Sequence, residues 1–272
     1  MSVRPWRWCL DGTRDPLPTD VAGLPDLPDA FHDALDRAIP PMAMTLEPAA
    51  RTAIEAHVRL LIAWNSRLNL TAIRDPVAIA IDHVADSLSA IPLLRESSVR
   101  QVLDLGSGGG FPGLPIAAVL PAGRALLVDS IAKKARFLAA AVKAAGLAGT
   151  TGVATARAED LARGEQRERW PAVVARAVGS VADVAEIGLS LTAVGGILVI
   201  WKRRPIEAEL AEAADLVEAL GGGPSRLLAS NVPERPDNVL VVVAKVRRTP
   251  PDYPRDPALR RRRDARNDRG LR

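Results

Sequence analysis

The stretch VLDLGSGGGFPG, residues 102–113, is the part of the sequence that decides the fold class. A run of apolar residues of the kind found in buried strands leads directly into four glycines between positions 106 and 110. Glycine lets the backbone approach a ligand closely, and ligands of open α/β sheets bind beyond the carboxyl ends of the strands. The stretch therefore predicts a strand followed by a loop that holds a nucleoside-type cofactor.

Alternating strand and helix patterns continue along the chain from this point. Helical segments are predicted at 133–146, 181–192 and 205–220, and they separate short apolar runs, which are ALLVDS, TGVATA, AVVARAV, GGILVIWK and VLVVVAKV. This order is typical of a mostly parallel, doubly wound α/β sheet with right-handed crossovers. The last strand, at about 239–246, follows a short strand near Leu227 without a helix between them, so we expect an antiparallel hairpin at the end.

The residues before the sheet divide into an arm and a helical unit. Several prolines interrupt the first 45 residues, where we expect a partly disordered arm with one short helix at 29–38. Two helical patterns follow, at 47–67 and at 76–94, the second with Asp75 as N-cap and Pro76 in the first turn. The predicted organisation is an arm at 1–45, an N-terminal helical unit at 46–96, a sheet domain at 97–248 and a disordered arginine-rich tail at 249–272.

Composition excludes several classes of protein. Hydrophobic residues make up 48% of the 272 residues but aromatic residues only 3%, which suits helices on a parallel sheet better than an aromatic-girdled barrel. No run approaches the roughly 18 apolar residues of a membrane-spanning helix, and no secretory signal precedes Asp11. Cys9 is the only cysteine, which excludes an internal disulfide and a cysteine-based zinc site. We therefore expect a cytoplasmic monomer with no metal and no membrane contact.

The positive charge of the chain is concentrated at its end. The net charge is +4 and the sequence pI is about 9.7, but residues 255–272 alone hold eight Arg and three Asp. The other 254 residues carry 28 basic and 29 acidic side chains and are therefore close to neutral. The arginines at 260–263 could contact RNA phosphates, and the alternative is a solvated run of charge without a partner.

The glycine loop by itself does not decide which cofactor binds. The segment 108–113 matches the GxGxxG spacing of dinucleotide-binding loops. Asp104, however, places a carboxylate where a pyrophosphate would bind, and Pro112 removes a backbone N–H that would hold it. S-adenosylmethionine carries a sulfonium and an ammonium and no phosphate, so Asp104 can attract it while Gly106 and Gly108 leave room. The residues therefore favour S-adenosylmethionine over a dinucleotide.

Acidic residues also follow the second and third predicted strands. Asp129 ends the second strand, 23 residues after Gly106, where a carboxylate can accept the hydroxyl protons of a ribose. The segment 157–160, RAED, ends the third strand, where it would border an adenine ring. Singly, each acid could instead cap the helix that follows it. Together they favour a nucleoside.

These motifs resemble the RsmG (GidB) family of bacterial 16S ribosomal RNA guanine-N7 methyltransferases. The resemblance rests on GSGGGFPG together with NLTAI and covers about half of the chain, roughly Trp64 to Lys202. It implies a class I, Rossmann-like methyltransferase fold, S-adenosylmethionine as methyl donor, and a guanosine of 16S ribosomal RNA in the decoding region of the small ribosomal subunit as target. The cofactor contacts that it implies are Gly106, Phe111, Ala158, Glu159 and Arg176, with Asp129 on the ribose.

Three positions depart from the pattern of that family. Asp82 stands where the family usually has Arg before a histidine. Arg203 stands where the family often has a glycine after the lysine that ends the fifth strand, here Lys202. Near the last strand, Asp237 and Asn238 replace a basic Arg-His pair. The first and third departures remove positive charge from surfaces that could contact RNA.

The chemistry that the resemblance implies requires positioning rather than a general base. Guanine N7 has an exposed lone pair and carries no proton, so an enzyme needs to hold it in line with the methyl group. The candidates for polar contacts to the base are Asn69, Thr71 and Arg176. Asn69 could instead form a turn that ends a helix, and Arg176 could form a buried ion pair with Glu159 or Asp104.

Two other functions remain open at this point. An NAD-dependent oxidoreductase would use the glycine loop, but Asp104 and Pro112 disfavour it and no His-Asp pair for hydride transfer is evident. A non-catalytic RNA-binding module with a nucleoside pocket would explain the departures at Asp82 and Asp237. His57 and His83 lie in predicted helices, where surface or core-edge positions are expected.

Overall fold

A computed structural model describes residues 17–120 and 123–256. Within them, one seven-stranded sheet has the order β3-β2-β1-β4-β5-β7-β6. The strands are β1 Gln101–Leu105, β2 Arg124–Asp129, β3 Thr151–Thr155, β4 Trp170–Arg176, β5 Thr192–Arg203, β6 Arg226–Ala229 and β7 Asn238–Ala244.

The described helices lie before the sheet and in its crossovers. They are α1 Asp29–Ala38, α2 Pro48–Leu68, α3 Pro76–Ala78, α4 Asp86–Leu88, α5 Ile91–Glu96, α6 Gly113–Val119, α7 Ala132–Ala144, α8 Ala158–Arg163, α9 Val181–Leu191 and α10 Glu207–Ala219. A π-helical segment, Ile79–Ala85, joins α3 to α4. Asp75 caps α3 as predicted, because its Oδ2 accepts the N–H of Ala78 at 2.7 Å.

The predicted fold class is confirmed. Strands β1 to β5 pair in parallel, and β7 is antiparallel to both β5 and β6. Side chains alternate between the two faces of each strand, so Val174 of β4 joins the core under α2 and α7 while Val173 joins the core under α9 and α10. Burial on both faces explains why these strands read as continuous apolar runs.

The two chain ends pack further than the sequence indicates. In the predicted arm, α1 occupies the residues predicted for its short helix and buries Phe31 and Leu35 completely. In the predicted tail, residues 249–256 pack on the domain because Arg167 donates to the carbonyl oxygens of Thr249 and Tyr253. The outer parts of these two segments, residues 1–16 and 257–272, lie outside the described residues.

One helical run among the described residues is long and apolar enough, by length and composition alone, to span a membrane. Asp82, His83 and Asp86 interrupt its apolar residues, so it is not a continuous apolar run of the kind sought in the sequence. Pro76–Glu96, which comprises α3, the π-helical segment, α4 and α5, has 21 residues, and an 18-residue window within it has a mean hydropathy of 1.5. Its sequence is rich in alanine and isoleucine, and 72% of its apolar window is buried inside the molecule. Ile79, Val84 and Leu88 pack in the core with α1 and α2. Core packing therefore accounts for its apolar character.

Candidate active site

Several predicted site residues meet at the carboxyl edge of the sheet. Strand β1 lies between β2 and β4, all three are parallel, and their ends therefore lie side by side. The glycine loop, residues 106–113, leaves β1 at the point where the order of the strands reverses. Ligands of doubly wound sheets bind at this topological switch point.

The backbone N–H groups of the glycine loop already donate to acceptors inside the protein. Gly108 donates to Oδ2 of Asp129 at 3.0 Å, and Gly113 donates to Oδ2 of Asp104 at 3.0 Å. Three more loop N–H groups donate to backbone carbonyl oxygens. The N–H of Ser107 donates to Val128 O, and the N–H groups of Gly110 and Phe111 both donate to Ser107 O. A phosphate group binds such a loop through free N–H donors. The bonding pattern of this loop therefore disfavours a pyrophosphate.

Asp104 lies beneath the loop rather than along its surface. Its side chain is fully buried, and its Oδ1 has no hydrogen-bond partner among the described residues. Burial raises the pKa of this carboxyl to about 6, so it is mostly ionised at neutral pH. A Cβ at Gly113 would lie 2.5 Å from Oδ2 of Asp104, which explains the glycine there. The buried carboxylate gives the loop a negative potential that suits a cationic ligand.

Asp129 joins the glycine loop to the segment that follows β2. One carboxylate oxygen accepts the N–H of Gly108 and the other accepts the N–H of Ile131 at 2.8 Å. Helix α7 starts later, after Ile131, and has no side-chain cap. Each carboxylate oxygen has two lone pairs, so Asp129 retains acceptor capacity for hydroxyl groups.

The glycines of the loop face different surroundings. Gly106, Gly108 and Gly110 all have positive φ, at +69°, +53° and +90°, a region that other residues rarely adopt. A Cβ at Gly110 would lie 2.6 Å from Nε2 of His57, so this glycine packs on α2. A Cβ at Gly108 would have, apart from its chain neighbours, a single neighbour within 4 Å among the described residues, Gly106 O at 3.7 Å. The open space of the loop therefore lies at Gly108.

Phe111 is enclosed by two imidazole rings and a guanidinium. The His83 ring stacks on it with centroids 4.7 Å apart, and the His57 ring lies at 4.6 Å. The guanidinium carbon of Arg176 is 5.4 Å from the Phe111 centroid. His57 is fully buried, not on a helix surface or at the edge of the core, and its Nε2 bonds to Gly109 O at 2.7 Å. Burial lowers the pKa of His57 to about 4, so its ring is neutral.

Arg176, at the end of β4, connects this cluster to the π-helical segment and α4. Its guanidinium donates to Oδ2 of Asp86 at 3.0 Å, to Asp82 O at 2.8 Å and to Nδ1 of His83 at 3.1 Å. Arg176 therefore forms a buried ion pair, which the sequence left open as an alternative to a substrate contact, and its partner is Asp86 rather than Glu159 or Asp104. The sequence alone does not indicate Asp86 as the partner, because 90 residues separate it from Arg176 along the chain.

The remaining predicted residues lie around this cluster. Asn69 ends α2 with φ 46° and is exposed, which agrees with the alternative that it forms a turn. Oγ1 of Thr71 lies 2.7 Å from Nε2 of His83. Ala158 and Glu159 begin α8 directly after β3, at the same edge of the sheet as the glycine loop.

The departures at Asp82 and Asn238 belong to one polar network. Asp82 forms a two-point ion pair with Arg235, with Oδ1 to Nε at 2.5 Å and Oδ2 to Nη2 at 2.9 Å. Asn238 donates to Oδ1 of Asp86 at 2.9 Å. Asp82 and Asn238 also line a cavity of about 500 Å³ together with Arg203, Glu234, Arg235, Pro236 and Asp237. The negative charge of Asp82 is therefore neutralised within the protein.

Comparisons of the sequence point to one protein family. The family model for GidB, rRNA small subunit methyltransferase G, matches residues 50–236. Ribosomal RNA small subunit methyltransferase G of Desulforamulus reducens is 36% identical over 223 residues, which are 81% of this chain and 92% of that protein. The protein of the same name from Roseiflexus sp. is 41% identical over 196 residues, 72% of this chain and 83% of that protein.

A solved structure supports the fold. A protein from Klebsiella pneumoniae, solved as a candidate O-methyltransferase, superposes with a TM-score of 0.50 at 13% identity. The superposition covers 78% of this chain and 99% of that one. At this identity the likeness concerns the architecture of the sheet and its helices.

Proposed function

The chain belongs to the GidB family of rRNA small subunit methyltransferases G, and from this premise we propose that it methylates N7 of a guanosine in 16S ribosomal RNA. It is an rRNA methyltransferase, and its methyl donor is S-adenosylmethionine. We propose further that it acts as a cytoplasmic monomer, without a membrane partner, on the RNA of the small ribosomal subunit.

The observation that carries the assignment of the cofactor is the internal hydrogen bonding of the glycine loop. Five loop N–H groups are used by protein acceptors, two of them by the carboxylates of Asp104 and Asp129. Such a loop offers little to the phosphates of NAD, whereas its negative potential suits a sulfonium and an ammonium. The fit supports S-adenosylmethionine and disfavours the oxidoreductase alternative.

The residues around the loop divide the work of holding this cofactor. Gly106, Gly108 and Phe111 would border its methionine part, with Asp104 acting from beneath through its charge. Asp129 would accept the ribose hydroxyls, and Ala158 and Glu159 would border the adenine. Arg176 would lie beside the reacting groups. When bound, the cofactor supplies a methyl group on a positively charged sulfur.

The chain needs no general base for this transfer, because guanine N7 carries no proton. The base becomes positively charged as the methyl group arrives, so neighbouring groups should not add positive charge. Burial lowers the pKa of both His57 and His83 to about 4, and both rings are therefore neutral at pH 7. The negative charge of Asp104 acts in the favourable direction.

Calorimetric titration with S-adenosylhomocysteine and with NAD tests the cofactor assignment. We expect the wild-type protein to bind S-adenosylhomocysteine and not NAD, and Asp129→Ala to weaken binding by about 1–3 kcal/mol through the lost hydrogen bonds. The matched control is Asp75→Ala, which removes a carboxylate that caps α3. It should lower stability by about 1 kcal/mol and leave the affinity unchanged. Equal affinities of the two variants would contradict the role of Asp129.

The non-catalytic RNA-binding alternative drew on the departures at Asp82 and Asp237. Arg235 pairs with Asp82 and neutralises its charge, whereas Asp237 is exposed. Membership of a family of rRNA methyltransferases favours the catalytic function over this alternative.

A further inference from the structure

The hydroxyl group of Thr71 is held by two partners at the edge of the candidate active site. Its Oγ1 accepts the backbone N–H of Ile73 at 3.0 Å and lies 2.7 Å from Nε2 of His83. The backbone of Thr71 is itself fixed, because the side-chain amide of Asn65 bonds to both its N–H and its carbonyl oxygen at 2.9 Å. Since the His83 ring stacks on Phe111, the side chain of His83 connects Thr71 to this residue of the glycine loop.

The contacts of His83 define which ring nitrogen carries its proton. Nδ1 lies 3.1 Å from Nη2 of Arg176, and a guanidinium can only donate, so Nδ1 accepts and is unprotonated. Burial and the charge of Arg176 lower the pKa of His83 to about 4, so the ring is neutral near pH 7. The single proton of the neutral ring is therefore on Nε2, which donates to Oγ1 of Thr71.

These two contacts use the full acceptor capacity of the Thr71 hydroxyl. A hydroxyl group has two lone pairs and one proton. The N–H of Ile73 and the Nε2–H of His83 occupy both lone pairs, and the hydroxyl proton has no acceptor among residues 17–120 and 123–256. Toward a bound base, the hydroxyl group of Thr71 can therefore act only as a donor.

We infer that the Thr71 hydroxyl selects guanine over adenine by donating to O6, an inference that rests on the proposed function. Guanine presents two acceptors side by side, N7 and O6, whereas adenine presents N7 beside an amino donor. When N7 faces the methyl group, the neighbouring exocyclic group faces the same side of the site. Guanine O6 accepts the proton of Thr71, while the amino group of adenine meets an oxygen with no lone pair left. Thr71 determines specificity, and His83 and Arg176 are positioning residues.

The experiment measures methyl transfer by the full-length protein to small subunits assembled from 16S RNA with guanine or 2,6-diaminopurine at the methylated position. Diaminopurine carries an amino group in place of O6. Thr71→Val removes the hydroxyl and keeps the shape, and Thr71→Ser keeps the hydroxyl. His83→Phe keeps a ring on Phe111 and frees one lone pair of Thr71. The control is Thr150→Val, because Thr150 is exposed and its Oγ1 donates to Leu147 O in a turn before β3.

We expect the wild-type enzyme, Thr71→Ser and Thr150→Val to share a strong preference for guanine in kcat/KM. Thr71→Val and His83→Phe should narrow that preference by about ten- to hundred-fold. In the wild-type enzyme, diaminopurine leaves the buried Thr71 donor without an acceptor, and both variants remove this penalty. S-adenosylhomocysteine affinity should stay unchanged in the Thr71 and Thr150 variants, and a cooperative thermal unfolding transition shows which variants are folded. An unaltered preference in folded Thr71→Val or in folded His83→Phe would overturn the inference. A wild-type enzyme that methylates N7 in neither RNA would overturn the proposed function, and this inference with it.

Discussion

At Gly108, two effects of a substitution on cofactor binding can be separated by experiment: strain in the backbone and loss of space for the ligand. Its φ of +53° costs any other residue about 1–2 kcal/mol, and a Cβ there would project into the open space of the loop. We expect Gly108→Ala to weaken S-adenosylhomocysteine binding by about tenfold or more through overpacking. Calorimetric titration measures the change.

Gly146 supplies the matched control for this substitution. It has a similar φ of +71° just after α7, and, apart from its chain neighbours, a Cβ there would meet no atom within 4 Å in the part of the chain that the structure describes. Gly146→Ala should therefore lose a similar free energy of unfolding and keep the wild-type affinity. A parallel loss of affinity in both variants would mean that backbone strain, not space, controls binding at Gly108.

His57 provides a residue-scale prediction of pH dependence. Its pKa in the folded protein is about 4, below the 6.5 of an ordinary histidine, so its contribution to stability is complete above pH 6.5 and is lost as the pH falls through 4. We expect the stability advantage of wild type over His57→Gln to shrink by about 3 kcal/mol between pH 7 and pH 4. Urea unfolding at several pH values measures this difference.

In the difference in stability between wild type and His57→Gln, the contributions of other titrating groups cancel. Asp104, whose pKa is raised to about 6, favours the folded state at low pH, which is the opposite direction, and it is present in both proteins. Its effect therefore cancels in the difference. Stability curves that stay parallel from pH 7 to pH 4 would contradict the burial of a neutral His57.

At the scale of elements, local patterns predicted most of the fold. The helices predicted at 133–146 and 205–220 occupy Ala132–Ala144 and Glu207–Ala219, because apolar periodicity is set by residues close together in the sequence. The π-helical segment Ile79–Ala85 was not distinguished from an α-helix, since both bury similar apolar residues. The partners of Arg176 and of His57 could not be predicted because they depend on which elements meet in the folded chain.

The ion pair between Asp82 and Arg235 links two such elements, the π-helical segment and the approach to β7. Asp82→Arg would place two guanidinium groups together, and we expect a loss of about 1 kcal/mol in the free energy of unfolding, because the pair is partly exposed. The double variant Asp82→Arg with Arg235→Asp should recover most of that loss. A double-mutant cycle by urea unfolding measures the coupling. Additive losses in the double variant would show that the pair does not join these elements.

At the scale of the whole molecule, a truncation of the charged end of the chain tests its role in RNA binding. The truncated protein must keep all residues up to Asp256, because Arg255 pairs with the buried carboxylate of Glu186 and Arg163 donates to the carbonyl oxygen of Arg255. Deleting 257–272 removes seven Arg and two Asp. We expect the slope of the logarithm of the RNA-binding constant against the logarithm of salt concentration to become shallower by several units, because fewer counterions are released. Cofactor affinity should stay unchanged.

Methyl transfer to small subunits at low and at physiological salt tests the role of this end. The truncated protein should show a raised apparent Michaelis constant at physiological salt. An unchanged constant at both salt concentrations would mean that the arginines at 260–263 are a solvated run of charge without a part in RNA binding.

The central claim for the whole molecule is the transfer of a methyl group to guanine N7 in ribosomal RNA of the small subunit. The direct measurement incubates the full-length protein with tritiated S-adenosylmethionine and small subunits assembled from unmodified 16S RNA, then treats the RNA with borohydride and aniline, which cleave the chain at N7-methylguanosine. We predict tritium in the RNA and one cleavage position that depends on the enzyme. Tritium in the RNA without such cleavage, or no transfer by a protein that binds S-adenosylhomocysteine, would contradict the account.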